Sequence, residues 1–455
     1  MTNIAVLLFN VVRFHLFAWT GIGDSLGDFL SLKPVIGGQV VLPLAMLLIY
    51  YLSGYYYTVS YRSRMEDLVN TALTTFVGAL VVYFAVILND PVDDRGAIYE
   101  IVGILWGIMF GCVYPVRLIL TLTVVKRMHN RKFGYDTLIV GTSQSAVKLA
   151  KRLNESRRSM GFNIVGYVNI KKGGVEVDDF DLPVYSLEQL EDVVARKNIK
   201  RLIVSQHPNG FVSTMDLINK LFPLGLPILT TPTIFHLISG RMAFGNVAGE
   251  PLVDVSNPAI SPMTACVKRF SDIVVSTIAL VVLSPVMLSI ALWVKLDSKG
   301  PVIYRQERVG YKKRPFDILK FRSMRADAEE AGPSLSNVDD PRVTRAGRVL
   351  RKYRLDELPQ FWNVIKGEMS IVGPRPERAY YVNQIVARAP YYSLIHQVRP
   401  GITSWGMVKY GYATTVDEMI ERLNYDLIYL ENVSVGVDLK IIFYTINTVV
   451  TGRGV

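Results

Sequence analysis

The sequence predicts a multi-domain membrane protein: a four-helix transmembrane bundle over 1–134, an α/β domain over 135–250 and an α+β domain over 261–455. Three observations predict this fold class. Half of the 455 residues are hydrophobic although 20% are charged. Apolar stretches of roughly spanning length fill the first unit. Strand-like and helix-like segments alternate in the second unit, which is typical of a parallel sheet covered by helices.

The net positive charge of the chain indicates which classes of molecule it could bind. The formal net charge is +11 and the sequence pI is about 9.4. Such an excess suits nucleic acid, anionic lipid head groups or phosphorylated substrates. The apolar segments favour the last two, so we expect a lipid bilayer and no nucleic acid as partner. Cys112 and Cys266 lack metal-site spacing, so we expect neither a disulfide framework nor cysteine-bound zinc.

Four apolar stretches form the first unit, and each is close to the roughly 20 residues that a spanning helix needs. Arg13 and His15 interrupt the first stretch, which could therefore be tilted or interfacial. Basic segments follow the second and fourth stretches, so the positive-inside rule places both ends of the unit in the cytoplasm. Too few polar faces remain for the alternative, a soluble bundle. The stretches cover residues 4–20, 40–57, 68–88 and 101–125.

The second unit reads as a Rossmann-like α/β domain. A buried strand ends at Gly141, and a helix follows it. The turn at 141–146 keeps only the first glycine of the dinucleotide-binding pattern, and Asn169 stands where an acidic ribose partner is expected. We therefore expect a domain without a dinucleotide, which positions, dimerises or regulates.

The third unit opens with an apolar run at 273–294 that carries Ser284 and Pro285 in its middle. An internal proline removes a helix hydrogen bond and kinks the helix, at a cost of about 3 kcal/mol. Both flanks are basic, whereas a spanning helix satisfies the positive-inside rule at one end only. We therefore predict a re-entrant, broken membrane helix over 268–297. The alternative is an ordinary fifth span.

A basic hairpin follows, with strand-like runs at 300–310 and 316–324. Lys320 and Arg322 alternate with apolar residues on one strand, so we expect both on the same face and in contact with phosphate. The lysines of the hairpin turn could instead form a solvated patch that faces lipid. The polar segment at 326–342 is predicted to be a mobile loop that could close as a lid.

Adjacent carboxylates, Asp356 and Glu357, precede a short helix pattern over 358–365 that Gly367 ends. We expect Asp356 near the N-cap, where a carboxylate stays ionised. An ionised carboxylate can act as a nucleophile or a metal ligand. Cations on both sides suggest chemistry on a phosphorylated substrate. These cations are Arg348, Arg351, Lys352, Arg354 and Arg375.

Three segments occur in order after the Ser-Pro break: Lys320-Phe321-Arg322-Ser323-Met324, Leu355-Asp356-Glu357-Leu358-Pro359-Gln360 and Val372-Gly373-Pro374-Arg375-Pro376-Glu377. In these segments the chain resembles the bacterial polyprenyl-phosphate hexose-1-phosphate transferases, the monotopic phosphoglycosyl transferases. The three-unit layout is similar to that of their large form.

The resemblance implies transfer of a hexose 1-phosphate from a UDP-sugar to undecaprenyl phosphate, with release of UMP. It implies that Asp356 is the nucleophile that forms a phosphosugar ester and that Glu357 assists it, with both carboxylates as ligands of Mg²⁺. Arg351 and Arg375 would bind nucleotide or lipid phosphate, and Lys320 and Arg322 would support them. The third unit would thus be the catalytic domain.

The resemblance also implies a multi-pass protein of the bacterial inner membrane, with its soluble domains in the cytoplasm. A homodimer is expected. Its product would begin the assembly of an exopolysaccharide, a capsule or an O-antigen. Two alternatives remain: a non-catalytic scaffold in which Asp356 only caps a helix, and a transporter with a Rossmann gate. The transporter predicts functional polar residues inside the spans.

Overall fold

The computed structural model describes residues 1–16, 25–56, 64–84, 95–156, 159–170, 181–205, 211–231, 252–256, 260–325, 328, 340–411 and 413–451. The predicted lid at 326–342 falls almost entirely outside the described residues.

Helices of the first unit pack around one apolar core. Val6, Met46, Ala79 and Leu105, one from each of four helices, are buried together in it. Two helices in the described residues, Lys33–Leu52 and Tyr99–His129, are long and apolar enough to cross a membrane. A bundle of four transmembrane helices therefore stays a prediction. The helices are α1 (Thr2–Leu16), α2 (Leu26–Ser31), α3 (Lys33–Leu52), α4 (Arg64–Val82) and α5 (Arg95–His129).

A buried ion pair joins two of these helices. Arg117 on α5 donates from Nε to Asp67 Oδ1 of α4 at 2.9 Å, and Thr121 donates to the other carboxylate oxygen at 2.6 Å. The guanidinium also lies 3.4 Å from the centroid of the Tyr55 ring. Asp67 lies in the first turn of α4, beside the basic segment that is expected in the cytoplasm. The pair therefore ties the helices together near one end of the bundle.

The second unit is a parallel sheet with the strand order β3-β2-β1-β4-β5-β6, in which only β6 runs antiparallel. The predicted strand that ends at Gly141 and the helix after it are confirmed as β1 and α6, as is the predicted alternation of strands and helices. β3 was missed because it is a short, half-exposed edge strand without an apolar run, and β6 lies beyond the predicted end at 250. The elements are β1 (Tyr135–Val140), α6 (Gln144–Glu155), β2 (Phe162–Asn169), β3 (Val184–Ser186), α7 (Leu190–Arg196), β4 (Arg201–Val204), α8 (Phe211–Leu221), β5 (Ile228–Thr230) and β6 (Val253–Asp254).

The third unit combines helices with two small sheets, an α+β arrangement as predicted. β7 and β8 form the expected antiparallel hairpin, and β9 pairs with β10 in parallel. Its elements are α9 (Pro262–Val282), α10 (Ser284–Asp297), β7 (Ile303–Val309), β8 (Pro315–Phe321), α11 (Arg345–Lys352), α12 (Gln360–Lys366), β9 (Ser370–Val372), α13 (Ala379–Arg388), β10 (Gly401–Thr403), α14 (Trp405–Lys409), α15 (Val416–Glu431) and α16 (Val435–Val450).

The predicted break in the apolar run is present. α9 and α10 meet at an angle of 62°. Ser284 Oγ donates to the Val281 carbonyl at 2.7 Å, which satisfies a backbone group at the break. Leu288 and Leu292, on α10, are 74% and 62% exposed. Apolar side chains this exposed on a bent helix pair are typical of contact with lipid.

The first helix of the bent pair is bound to the rest of the third unit. On α9, Arg269 donates to the Val364 and Ile365 carbonyls at 2.7 and 3.0 Å, at the C-terminal end of α12. Asp272 accepts a hydrogen bond from Ser370 Oγ on β9 at 2.7 Å. The basic flank expected at a lipid surface therefore binds the protein core, because the last carbonyls of a helix attract cations.

The tip of the β7–β8 hairpin contacts the α/β domain. Lys312 Nζ donates to the Gly225 carbonyl at 3.2 Å, and Lys313 Nζ donates to the Asn219 carbonyl at 3.0 Å. The side chain of Asn219 in turn donates to the Pro390 carbonyl at 3.0 Å. The alternative of a lipid-facing patch was therefore wrong for these two lysines. Backbone carbonyls near the end of α8 supply their partners instead.

We expect Gly347→Ala to destabilise the protein by about 1–3 kcal/mol, the usual cost of overpacking. An added Cβ on α11 would collide with the backbone carbonyl of Ser323. Gly436→Ala on α16 is the matched control, because its Cβ would meet open space and alanine favours a helix. Thermal unfolding of the detergent-solubilised proteins measures both. A Gly347→Ala protein as stable as the control would contradict this close packing.

Candidate active site

A tight local turn places the carboxylate pair. Arg354 adopts a left-handed conformation, with φ of 53°, and reverses the chain after α11. A single 3-10 turn, Leu355–Glu357, follows and runs directly into α12. The predicted stop at Gly367 is confirmed, since its φ is 90°. Strained backbone of this kind, at Arg354, is common at functional sites.

Asp356 lies near the start of α12, as expected, but it does not hold the N-cap position. The cap position belongs to Pro359, and it makes no side-chain capping bond. The reason is local: the N–H of Glu357 already donates to the Arg354 carbonyl at 3.2 Å, so the helical hydrogen bonding begins before Asp356. Both carboxylates are nonetheless buried, with 7% of Asp356 and 5% of Glu357 exposed.

Glu357 is surrounded by three cations. Lys320 Nζ lies 2.9 Å from its Oε1, Arg375 Nη1 lies 3.6 Å from the same oxygen, and Arg354 Nη1 lies 3.8 Å from Oε2. Burial alone would raise the pKa of Glu357, but Lys320, Arg375 and Arg354 outweigh burial and lower it to about 2. Glu357 therefore stays ionised and holds these cations in place.

Asp356 differs from its neighbour. In the described part of the chain its carboxylate accepts no hydrogen bond from another residue. Burial raises the pKa of Asp356 to about 6, against the attraction of Lys320, and the charge of Glu357 raises it further. At pH 7 it is therefore mostly ionised, and its oxygens are not engaged by the protein. A buried, ionised and unengaged carboxylate among cations has the properties of a nucleophile.

Two predicted substrate-binding arginines lie at this site. Arg351 Nε donates to Ser323 Oγ at 3.0 Å, and its charge acts on Asp356. Arg375 lies between Glu357 and the sulfur of Met407, 3.2 Å from Sδ. The structure therefore brings Lys320, Arg351 and Arg375 together with the two carboxylates, as the sequence predicted.

Arg322 is the exception among the predicted residues. Its guanidinium donates to the carbonyls of Pro301, Val294 and Ser298 at 2.7, 3.1 and 2.6 Å, and the side chain is buried. These acceptors lie at and just beyond the C-terminal end of α10, the far end of the bent helix pair. β8 ends at Phe321, so Arg322 does not share the strand face of Lys320. The contacts of Arg322 are with the chain rather than with the carboxylate site.

Glu377 is a residue that the sequence reasoning did not place. It accepts from Arg422 at 2.6 Å and from Arg308 at 3.3 Å. Burial alone would raise the pKa of Glu377, but Arg422 and Arg308 lower it. Glu377 thus fixes the turn that carries Arg375. The signal was its position at the end of the third ordered segment, although the partners on α15 and β7 could not be read from the sequence.

Of the two carboxylates, Asp356 is the better candidate to bind Mg²⁺. No group of three or more candidate ligands occurs among the residues that the structure describes. Mg²⁺ is usually held by one or two carboxylates together with water and substrate phosphates. The unengaged oxygens of Asp356 fit that pattern, whereas those of Glu357 are shared with three cations. Asp356 and the phosphates of a substrate would therefore supply most of the ligands.

Comparisons with known proteins identify the family of the chain. Residues 263–452 match the family described as bacterial sugar transferase. The chain is 42% identical over 229 residues to the UDP-N-acetylgalactosamine-undecaprenyl-phosphate N-acetylgalactosaminephosphotransferase of Aeromonas hydrophila, an alignment that covers 50% of this chain and 53% of the relative. It is 37% identical over 325 residues to the UDP-glucose:undecaprenyl-phosphate glucose-1-phosphate transferase of Escherichia coli (strain K12), covering 70% of this chain and 68% of that relative.

The comparison with solved structures does not assign a function to the α/β domain. A solved structure, UDP-D-quinovosamine 4-dehydrogenase from Vibrio fischeri, is 18% identical with a TM-score of 0.21 and covers 27% of this chain and 93% of its own. The Rossmann-like description of this domain therefore depends on its strand order alone.

The family match spans four residues of the candidate site, Lys320, Asp356, Glu357 and Arg375. The chain therefore belongs to the bacterial sugar transferase family, as the resemblance in its sequence implied.

Proposed function

We propose that this sugar transferase moves a hexose 1-phosphate from a UDP-sugar to undecaprenyl phosphate and releases UMP. The observation that carries the proposal is that the two buried carboxylates, Asp356 and Glu357, have different surroundings. Asp356 has unengaged oxygens, and Glu357 is held by three cations. The names of the Aeromonas and Escherichia relatives support these substrate classes.

The reaction has two displacements at one phosphorus. An oxygen of Asp356 attacks the β-phosphorus of the UDP-sugar, and the bond to the bridging oxygen breaks, so that UMP leaves with the electron pair. A phosphate oxygen of undecaprenyl phosphate then attacks the same phosphorus and releases the carboxylate. The soluble donor and the lipid acceptor therefore need not occupy the site together.

Cations around Asp356 supply electrostatic stabilisation. Lys320, Arg351 and Arg375 carry the positive charge that the diphosphate and its transition state need. Glu357 positions Lys320 and Arg375 through its ion pairs. Mg²⁺, when bound through Asp356 and the phosphates, would neutralise further charge on the diphosphate.

The attachment of α9 and α10 supports a re-entrant geometry. Arg269 and Asp272 tie one end to the catalytic unit, and Arg322 ties the other end to the same unit. A span across the bilayer would separate the two ends by roughly 30 Å of hydrocarbon. We therefore propose that the pair enters the cytoplasmic leaflet of the bacterial inner membrane and returns, which holds the site at the level of the head groups.

The resemblance extends the proposal to the wider context. We propose a homodimer that catalyses the first membrane step of exopolysaccharide, capsule or O-antigen assembly. A transporter is less well supported, because the buried charges Asp67 and Arg117 satisfy each other near one end of the bundle. A scaffold role with Asp356 as a helix cap is also less well supported, since Pro359 holds the cap position.

Asp356→Asn should abolish turnover and leave the protein at least as stable as the wild type. The folded-state pKa of Asp356, about 6, lies above its usual value of 3.8, so ionisation at pH 7 opposes folding by about 3 kcal/mol at most. Intact mass spectrometry after incubation with UDP-sugars should show the added phosphosugar on the wild type only. Incubating membranes with a panel of UDP-sugars and measuring UMP release shows which sugar is transferred. Full activity of Asp356→Asn would contradict the covalent proposal.

Glu357→Gln is the matched comparison and should destabilise the protein by about 3–5 kcal/mol. The change leaves Lys320, Arg354 and Arg375 without their shared anion, the usual outcome when one partner of a buried ion cluster is removed. Thermal unfolding of both variants in the same detergent gives the comparison. Equal stability of the two variants would contradict the different roles assigned to the neighbouring carboxylates.

The first half-reaction should fall at acid pH. Protonated Asp356 cannot attack, so the rate of the UMP burst should drop about tenfold per pH unit below pH 6 and level off above it. Measuring the burst without undecaprenyl phosphate removes the titration of that lipid. Glu357→Gln should move the midpoint to lower pH, because it removes a negative charge that raises the pKa of Asp356. A midpoint that moved upward would contradict this coupling.

A further inference from the structure

The outer face of α11 carries three cations that take no part in the carboxylate site. Arg345, Arg348 and Lys352 are spaced at i, i+3 and i+7, which puts them on one side of the helix. All three are exposed. Among the residues that the structure describes, none of the three forms an ion pair. Arg351, which is half-buried, donates to Ser323 instead.

α11 lies beside the end of the membrane helix pair. The N–H of Ala346 donates to Asp297 Oδ2 at 3.1 Å, at the last residue of α10. Leu350 is fully buried against Ile290 and Val294 of α10. Leu296, on the same helix, is 78% exposed. α11 therefore packs along the part of α10 that leaves the apolar layer.

Apolar side chains separate the three cations. Val349 is 40% exposed and Tyr353 is 38% exposed. Cations interleaved with apolar and aromatic side chains on one helix face are typical of helices that lie in the membrane interface. There the aromatic and apolar groups contact acyl chains, and the long basic side chains reach the head groups.

We propose that this face of α11, formed by Arg345, Arg348, Val349, Lys352 and Tyr353 and here named the basic face, binds the phosphates of anionic phospholipids. The occupant is bulk lipid rather than the lipid acceptor, because the three cations are exposed and are not among the cations that act on Asp356, whereas the half-buried Arg351 is. The inference depends on the proposed insertion of α9 and α10 but not on the chemistry of Asp356. It goes beyond the transferase reaction, since it makes the enzyme sensitive to the charge of its bilayer.

Photo-crosslinking of the full-length protein tests the basic face directly. A photoreactive amino acid replaces Val349, and the protein is placed in nanodiscs of phosphatidylcholine and phosphatidylglycerol in equal amounts. Mass spectrometry identifies the captured lipid. Each cation should favour the anionic lipid roughly fivefold, and three together on the order of 100-fold. High salt should reduce this preference. Capture of both lipids in their mixed proportion would overturn the proposal.

The triple variant R345Q/R348Q/K352Q should lose the preference, and R348Q alone should lose roughly a fivefold part of it. K148Q/K151Q/K200Q is the matched control, because it removes three exposed cations from the α/β domain and should keep the preference. An unchanged preference in the triple variant would refute the basic face. So would displacement of phosphatidylglycerol by undecaprenyl phosphate at a ratio of one per protein, which would indicate an acceptor site.

The same photoreactive group at Leu292 separates this inference from the insertion that it requires. Leu292 should capture both lipids in all variants, because it is exposed on α10. Lipid capture at Leu292 without a preference at Val349 would refute the basic face and leave the transferase proposal standing. No lipid capture at Leu292 would overturn both the insertion and the basic face.

Discussion

The arrangement of the site depends on the ion cluster around Glu357. One buried carboxylate holds Lys320 from β8, Arg354 from the turn after α11, and Arg375 from the turn after β9. Three separate chain segments therefore meet at a single anion. Removing charge from a buried cluster is costly, so the cluster keeps the cations in place before any substrate arrives. Because Glu357 holds the cations, the oxygens of Asp356 need not form ion pairs with them.

A second constraint links chemistry to the membrane. α12 begins just after the carboxylate turn, and its last carbonyls are bound by Arg269 of α9. The same short helix therefore connects Asp356, the proposed nucleophile, to the bent helix pair at a distance of two turns. The second anchor, Arg322, follows β8 directly, the strand that carries Lys320. Arg269 and Arg322, which bind the two ends of the bent pair to the third unit, are thus each close in sequence or space to a residue of the candidate active site.

Much of this architecture could be predicted from sequence because the signals are local. Hydrophobic stretches, the Ser284-Pro285 break and the alternation of strands depend on short-range rules, and these predictions were confirmed as helices, a break and a parallel sheet. The carboxylate pair and its cations were found for the same reason. Arg322 and the turn lysines were misplaced because a basic side chain carries the same pattern whether it meets a phosphate or a carbonyl. Only the tertiary fold decides between them.

Contacts between residues that are far apart in the sequence could not be predicted. Glu377 needs Arg422, 45 positions away, and Asp67 needs Arg117, 50 positions away. No periodicity connects such positions. The cap position failed for a different reason: the sequence pattern gives the start of a helix only approximately, and here the 3-10 turn before α12 shifted it by three residues.

The contact of Lys312 and Lys313 with the α/β domain has a mechanical consequence. These lysines form the tip of the hairpin whose other end presents Lys320 to Glu357. From Pro315 to Lys320 the chain extends over roughly 17 Å of paired strand. A tilt of the α/β domain would therefore reach the ammonium group of Lys320 through the backbone alone. An event in the α/β domain could in this way alter the charge around Asp356.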